Sequence, residues 1–192
     1  LNEVTRVIQG ARTDADQKIG QQVEQLNEYL SGVDRLNAEI LAARSSGRDA
    51  NGLMDERQRM VDRIAEIVPV REVARQNDQV ALFTTGGAIL LEGNPAEIGF
   101  SPSGVITADM SYGGSGILGG LTINGQPVSP ADSGVLGGGT LGALFAVRDE
   151  IATEAQTQVD AFARNLVDRF QSTTTDPTLA PGDAGLFTDG SG

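Results

Sequence analysis

Three glycines form the motif with the clearest potential for cofactor binding: Gly114, Gly116 and Gly119 satisfy the pattern G-x-G-x-x-G. In a dinucleotide site such glycines follow a strand and open a helix, so that the pyrophosphate meets the N-terminus of that helix. Here residues 120–125 are typical of a strand followed by a turn, and no helical pattern begins at the last glycine. We therefore interpret the three glycines as loop residues and predict no cofactor.

Paired carboxylates are the second candidate, because two of them can share the acid and base work of sugar cleavage. Glu150 and Glu154 form one such pair, and Asp55 and Glu56 form another. Both pairs lie in helical segments dense with other charged residues, where a solvated face is the ordinary explanation. The chain has no Trp and two Tyr, too few aromatic rings for a sugar-binding platform. These observations favour a protein that is not an enzyme.

Metal sites and nucleophilic catalysis are disfavoured by composition. The chain contains no Cys and no His, which removes thiol nucleophiles, imidazole bases and the usual zinc ligands. Three tail carboxylates, Asp176, Asp183 and Asp189, lack the spacing of a calcium-binding helix-loop-helix, so we predict no metal site. The only lysine, Lys18, follows Asp14 and Asp16, and we interpret it as their surface ion-pair partner.

Charge further narrows the possible partners. The chain carries 14 Lys and Arg against 26 Asp and Glu, a formal net charge of −12. Binding to a duplex or to an anionic membrane surface needs clustered basic side chains, so we predict neither nucleic acid nor membrane as a partner. No apolar run approaches the roughly 20 residues of a membrane span.

Helical periodicity dominates the first part of the chain. Apolar or small residues recur in steps of three or four from Val4 to Ile40, which predicts one long helix of about 60 Å. Gly32 weakens that helix by up to about 1 kcal/mol, so a bend there is compatible with the pattern. A second helix is predicted from an Asn51 N-cap to Val68, and the short loop between the two helices favours an antiparallel hairpin.

The middle of the chain is rich in glycine and changes to a period of two. Strands are predicted over 70–73, 79–85, 88–92 and 121–123, and Asn124-Gly125 is typical of a two-residue hairpin turn. A third amphipathic helix is then predicted from Thr140 to about Gln171, with Arg148 on its apolar face through its aliphatic stem.

These elements predict an α+β fold: an elongated antiparallel helical bundle of long helices that carries a Gly-rich, β-rich insertion. Residues 1–69 would form a helical hairpin, 70–138 the inserted domain, and 139–192 the returning helix with a tail loop. The residues expected to form the bundle core and its characteristic motif are Leu26, Leu36, Ile40, Leu53, Asp55, Arg57, Val61, Leu141, Leu144, Arg148, Phe162 and Leu166.

Several stretches also share the motif order of a known family. Residues 23–27, 33–40 and 51–62 read VEQLN, VDRLNAEI and NGLMDERQRMVD, and later stretches read TTGG at 84–87, GGTLGALFAVRD at 138–149 and GLF at 185–187. Together they resemble the flagellar hook-associated protein 1 family, in which I-x-x-L-N-x-x-I leads into N-x-L-L-D-x-R-D-x-L-V-D. The resemblance covers 20–93 and 137–190. The chain departs from the family at Gln58, where Asp is usual, and around 165–175, where N-x-x-H is expected.

The resemblance implies a structural protein of the bacterial flagellum, without catalysis. Its members are exported unfolded through the flagellar type III apparatus and form a ring at the hook–filament junction, outside the cell. The implied partners are other copies in that ring, the hook protein, a second junction protein and an export chaperone for the full-length chain. The family's terminal coiled-coil segments are missing, so we expect the middle of a longer protein. The alternative hypothesis is an extracellular binding module or adhesin in which residues 70–137 recognise a ligand.

Overall fold

Two helices form the hairpin expected at the start of the chain. The computed structural model describes residues 1–112, 118–129, 134–171, 174–175 and 177–178, and places α1 at Asn2–Ser45 and α2 at Asn51–Ile67. With 44 residues, α1 is about 66 Å long and runs unbroken through Gly32. A Cβ added at Gly32 would lie 2.5 Å from Met60 Sδ of α2. The glycine therefore allows the two helices to approach closely instead of bending α1.

Two small antiparallel sheets follow the hairpin. The first sheet has the order β1-β2-β3-β4 and the second the order β5-β6-β7. Their strands are β1 Val70–Ala74, β2 Val80–Thr84, β3 Ile89–Glu92, β4 Asn94–Pro95, β5 Ile98–Gly99, β6 Leu121–Ile123 and β7 Gln126–Val128. The predictions of β1, β2, β3 and β6 are confirmed. The other three strands span two or three residues each, too short to show a period in the sequence.

The predicted hairpin turn is also confirmed. Asn124 and Gly125 have φ values of 51° and 77°, and they join β6 to β7 with Ile123 opposite Gln126. Two successive positive φ values match the right-handed twist of the flanking strands, which is why Asn-Gly is favoured at this position.

The return to the helical part differs from the prediction of a single helix. It consists of α3 at Gly139–Ala146, a π-turn at Val147–Ile151 and α4 at Ala152–Phe170. The segment begins at Gly139, which has a φ of 62° and lies so close to α2 that an added Cβ would be 2.3 Å from the Ile67 carbonyl oxygen. The π-turn holds one residue more than a regular helical turn.

One hydrophobic cluster joins the helices to both sheets. It contains Leu26 of α1, Val61 of α2, Leu82 of β2, Leu121 of β6 and Leu141 of α3, among others. A smaller cluster at the tip of the hairpin contains Ile40, Ala43 and Ala50, with Leu53 and Met54 packed against it. The sheets therefore pack directly on α1 and α2, and the predicted α+β class is confirmed. In the described part of the chain, no helix combines the length and the apolar character needed to cross a bilayer.

Candidate functional site

The most unusual site is a set of charged side chains inside the protein, where α1 meets the π-turn. We call Arg12, Asp16, Arg148 and Asp149 the buried ionic cluster. Arg12 and Asp16 lie one turn apart on the same face of α1, and the π-turn supplies the other two. Three of these residues are buried, Arg12, Asp16 and Arg148, with 1%, 0% and 0% exposure, and the fourth, Asp149, is half-buried at their edge. Charged residues are rarely buried to this degree unless they are paired.

Arg148 is the centre of the cluster. Its Nη1 donates to Asp16 Oδ1 at 2.7 Å and to the Gly119 carbonyl oxygen at 3.0 Å. Its Nε and Nη2 donate to the two carboxylate oxygens of Asp149, each at 2.8 Å, in a bidentate pair. The guanidinium also lies over the rings of Phe145 and Phe100, at 4.8 and 5.7 Å from their centroids. Arg148 thereby connects α1, the π-turn and the loop before β6.

Arg12 binds backbone carbonyls instead of a carboxylate. Its Nε donates to the Arg148 carbonyl oxygen at 2.9 Å, and its two terminal nitrogens donate to the carbonyl oxygens of Thr107 and Met110 at 3.1 and 2.7 Å. Asp16 Oδ2 accepts a 2.6 Å hydrogen bond from the Ser103 N–H. The loop after β5 is therefore attached to α1 by a positively charged side chain, Arg12, and by a negatively charged one, Asp16.

The two arginines differ in the net shift of their pKa, although burial acts to lower the pKa of both. Burial lowers the pKa of Arg12; the neighbouring charge of Arg148 lowers it further, and Asp149 partly opposes both effects. Burial also acts to lower the pKa of Arg148, but its hydrogen bonds to Asp149 and Asp16 and the negative charges of both together outweigh that effect and raise the pKa. Arg148 thus forms an ion pair with each of the two aspartates.

Two asparagines of α1, the half-buried Asn27 and the buried Asn37, form a second set of contacts. Asn27 donates to the Ile98 carbonyl oxygen at 2.8 Å and accepts from the Ile98 N–H at 2.9 Å. Asn37 makes the same pair with Val80, at 2.9 and 3.1 Å. Each amide side chain offers one donor and one acceptor, as a neighbouring strand would. We call these two pairs the asparagine contacts; one joins α1 to each sheet.

Arg57 extends the asparagine contact at Asn37. Its Nη1 donates to Asn37 Oδ1 at 2.9 Å and to the Asp78 carbonyl oxygen at 2.6 Å. Burial lowers the pKa of Arg57, while the nearby charges of Glu72 and Asp78 oppose that shift. The result is a polar connection between α2, α1 and the turn before β2.

Chemically, these contacts hold elements together. Among the described residues, every buried side-chain nitrogen and oxygen has a hydrogen-bond partner. The same residues include no group of three or more Asp, Glu, His or Cys side chains that could hold a metal ion. The cluster and the asparagine contacts therefore act as positioning contacts between α1, the loops and both sheets.

Most of the residues predicted for the bundle core are inside the protein. Leu26, Leu36, Ile40, Arg57, Val61, Leu141 and Arg148 are buried, and Leu53, Leu144 and Leu166 are half-buried. Asp55 is exposed on α2. Phe162 is 56% exposed, so its prediction as a core residue is wrong. The row of α4 that is buried or half-buried runs in steps of three and four through Ala152, Gln156, Val159, Ala163 and Leu166, and Phe162 lies beside that row on the exposed side.

The other candidates lie apart from the cluster. A Cβ at Gly119 would lie 2.5 Å from the Ser101 carbonyl oxygen, so close packing of two loops requires this glycine. Gly114, Gly116 and the acids Asp176, Asp183 and Asp189 lie outside the described residues. Glu150, Glu154 and Asp55 are exposed, and Glu56 is half-buried. Lys18 is exposed, but its expected partner Asp16 points inward to Arg148, so that pairing is wrong.

Four residues that make these contacts were not predicted from the sequence: Arg12, Asp16, Asn27 and Asn37. A signal was present for each of them. Arg12 and Asp16 are spaced by four on the buried stripe of α1, which places opposite charges on an apolar face. Asn27 and Asn37 each follow a leucine of the same stripe. Polar residues at such positions need partners, and only the fold shows which ones.

Comparison with known proteins identifies a related family and a related structure. A family model described as flagellar hook-associated protein FlgK helical domain matches residues 1–186. The fold is similar to that of the flagellar hook junction protein FlgK from Burkholderia pseudomallei, with a TM-score of 0.68 and 23% sequence identity. The alignment covers 90% of this chain and 31% of that chain, so this chain spans about a third of the length of that relative. No curated protein matches the chain.

Proposed function

The chain belongs to the family of the flagellar hook-associated protein FlgK helical domain, and from this premise we propose that it is a structural part of the junction between the hook and the filament. In this role it acts as a mechanical adaptor, outside the cell and without catalysis. Its proposed partners are further copies in a ring, the hook protein, a second junction protein and, for the full-length chain, an export chaperone of the type III apparatus.

The observation that carries the adaptor role is the way α1 connects the whole chain. The buried ionic cluster joins α1 to the π-turn and to the loop after β5. The asparagine contacts join it to both sheets. Any sliding of these elements along α1 would leave buried charges and backbone groups without partners, which costs several kcal/mol. A subunit built in this way transmits load between its ends with little internal movement.

The proposal also keeps the division into three segments. Residues 1–69 and 139–192 would form the bundle that packs beside neighbouring subunits, and 70–138 would be the inserted domain that faces outward. The exposed faces of the helices are then available to other copies, and the asparagine contacts hold the inserted domain on the bundle.

Immunogold labelling of motile source cells, with antibody raised against this chain, tests the proposed location. We expect one narrow band where the hook meets the filament, abolished when the antibody is first saturated with the purified chain. Label along the whole filament would indicate a filament subunit and contradict the junction role. Label on the cell body, with none on flagella, would contradict the flagellar role and favour the surface binding module.

A further inference from the structure

Strand β1 forms one edge of the first sheet. It pairs with β2 on one side, and in the described part of the chain no strand pairs with its other side. Arg71, Glu72 and Ala74 are exposed, so water reaches this edge along most of its length. An exposed edge can bind an additional strand, because its outward N–H and C=O groups are not yet bonded within a sheet.

The hydrogen bonds at the two ends of the β1–β2 ladder determine which backbone groups point outward. The Thr85 N–H donates to the Pro69 carbonyl oxygen at 3.0 Å, and the Arg75 N–H donates to the Gln79 carbonyl oxygen at 2.8 Å. Bonded and outward-facing residues alternate in an antiparallel ladder, so the odd-numbered residues of β1 bond to β2. The groups that point away from β2 are those of Val70, Glu72 and Ala74.

Two arginines lie beside this edge on the outer face of the sheet. Arg71, Val73 and Arg75 share that face, because successive side chains of a strand point to opposite sides. Together with the half-buried ring of Phe83 and the turn at 84–87, they line an open recess of about 450 Å³. The recess therefore combines arginine with an aromatic ring, and both residue types are enriched where proteins bind one another.

The positive charge of this recess is only partly neutralised. Arg75 pairs with Glu92 and lies over the Phe83 ring at 5.8 Å from its centroid. Arg71 is exposed, and its side chain forms no ion pair or hydrogen bond with any described residue. The neighbouring Glu72 points to the other face of the sheet. In a chain with a net charge of −12, the recess is thus a local positive site that attracts a carboxylate.

A second copy of β1 fits this edge poorly. Antiparallel pairing of two such edges with the greatest overlap would place the two copies of Glu72 directly opposite each other. It would also place Arg71 opposite Val73, with no carboxylate to pair with. Like charges directly opposite destabilise a strand pair, and charged side chains are a common protection of edges against self-association. The edge therefore favours a partner with a different sequence.

We propose that the β1 edge binds an extended segment of another protein, which adds to the first sheet as a further strand. The backbone of that segment bonds to Val70, Glu72 and Ala74. Its side chains complement β1, with a carboxylate opposite Arg71, a cation opposite Glu72 and an apolar side chain opposite Val73. The partner is thus recognised by successive acidic, basic and apolar residues. This site does not depend on the proposed junction role.

A capped peptide of sequence Thr-Glu-Lys-Val-Lys-Glu-Thr is the probe. Its palindromic sequence places a glutamate opposite Arg71 in either strand direction. The control, Thr-Lys-Glu-Val-Glu-Lys-Thr, has the same composition and net charge with the two signs exchanged. In an NMR titration of the whole chain we expect saturable binding of the probe, with hydrogen exchange of the Glu72 and Ala74 amides slowed severalfold. Equal binding of both peptides, or no binding of the probe, overturns the proposal.

Glu72→Pro tests the backbone part of the site. The substitution removes one outward N–H, and proline is tolerated on an edge strand where that N–H would face water. Glu72→Ala is the matched control, because it loses the same carboxylate but keeps the N–H. We expect similar urea midpoints for the two variants and loss of probe binding only in Glu72→Pro. Probe binding that is the same in both variants would place the peptide elsewhere and overturn the strand addition.

Arg71→Glu tests the charge of the recess, and it remains informative if Glu72→Pro fails to fold. Arg59→Glu is its control, since Arg59 is exposed on α2 and undergoes the same change of charge. We expect Arg71→Glu to weaken probe binding severalfold, and Arg71→Lys and Arg59→Glu to change it little. Equal weakening by Arg71→Glu and Arg59→Glu overturns the proposal. A dimer in sedimentation that Glu72→Pro dissociates also overturns it, because a second copy would then occupy the edge.

Discussion

Replacing Arg148 by methionine is the most direct test of the buried ionic cluster. The substitution keeps much of the side-chain volume and its packing on Phe145, but removes the guanidinium. Asp16, which is 0% exposed, then keeps its hydrogen bond from Ser103 and loses its counter-charge, while Asp149 loses both hydrogen bonds of its bidentate pair. Leaving one partner of a buried ion pair without the other typically costs about 3–5 kcal/mol. We expect Arg148→Met to lower the free energy of unfolding by that amount.

The measurement is urea unfolding followed by circular dichroism, with Arg75→Met as the matched control. Arg75 also pairs with a carboxylate, Glu92, but their side chains are 43% and 45% exposed. An exposed pair contributes about 0–1 kcal/mol, so the control should change the free energy of unfolding very little. The difference between the two variants isolates the effect of burial on an arginine–carboxylate pair.

A double variant separates the cost of an unpaired charge from the cost of lost packing. Asp16→Asn keeps an oxygen that can accept from the Ser103 N–H and removes the buried negative charge. We therefore expect Asp16→Asn with Arg148→Met to unfold at higher urea than Arg148→Met alone. The reasoning is refuted if Arg148→Met lowers the free energy of unfolding no more than Arg75→Met does. It is also refuted if the double variant loses as much free energy of unfolding as Asp16→Asn and Arg148→Met lose in sum.

Two further substitutions test the packing around α1 and α3. Asn37→Ala should lower the free energy of unfolding by about 2–4 kcal/mol, because it leaves the buried backbone groups of Val80 unpaired. Urea unfolding measures this loss, and we also expect faster hydrogen exchange of the Val80 amide. An unchanged exchange rate of that amide would contradict the prediction. Gly139→Ala should cost at least about 2 kcal/mol, since the new Cβ meets the Ile67 carbonyl oxygen at a positive φ. Gly10→Ala in open space on α1 should instead stabilise by about 0.5–1 kcal/mol, and equal effects at both glycines would refute the packing argument.

Much of the helical part could be predicted because its signals are local. The stripe from Val4 to Ile40 repeats over many turns, and the structure contains one helix at Asn2–Ser45. Asn124-Gly125 determined its own turn through backbone preferences that need no distant partner. In contrast, β4 and β5 are two residues long, and their pairing depends on the strands beside them.

The candidate site could be predicted only in part. Arg148 was expected on the apolar face of the third helix through its aliphatic stem, and an arginine in such a position usually keeps its charged end in water. Its guanidinium is buried because Asp16, far away in the sequence, lies opposite it on α1. The contacts of Asn27 and Asn37 likewise could not be predicted, because only the tertiary structure brings Ile98 and Val80 beside them.

The sequence by itself therefore determined the helices, the main turns and the resemblance to a flagellar family. Each of these rests on the order and type of neighbouring residues. The tertiary structure alone decided the π-turn between α3 and α4, the exposure of Phe162 and the burial of the charged ends of Arg12, Asp16 and Arg148. Those features depend on the balance between the burial of apolar side chains and the polar contacts made with distant segments. A periodic sequence pattern indicates which apolar side chains are buried, but not which polar contacts form.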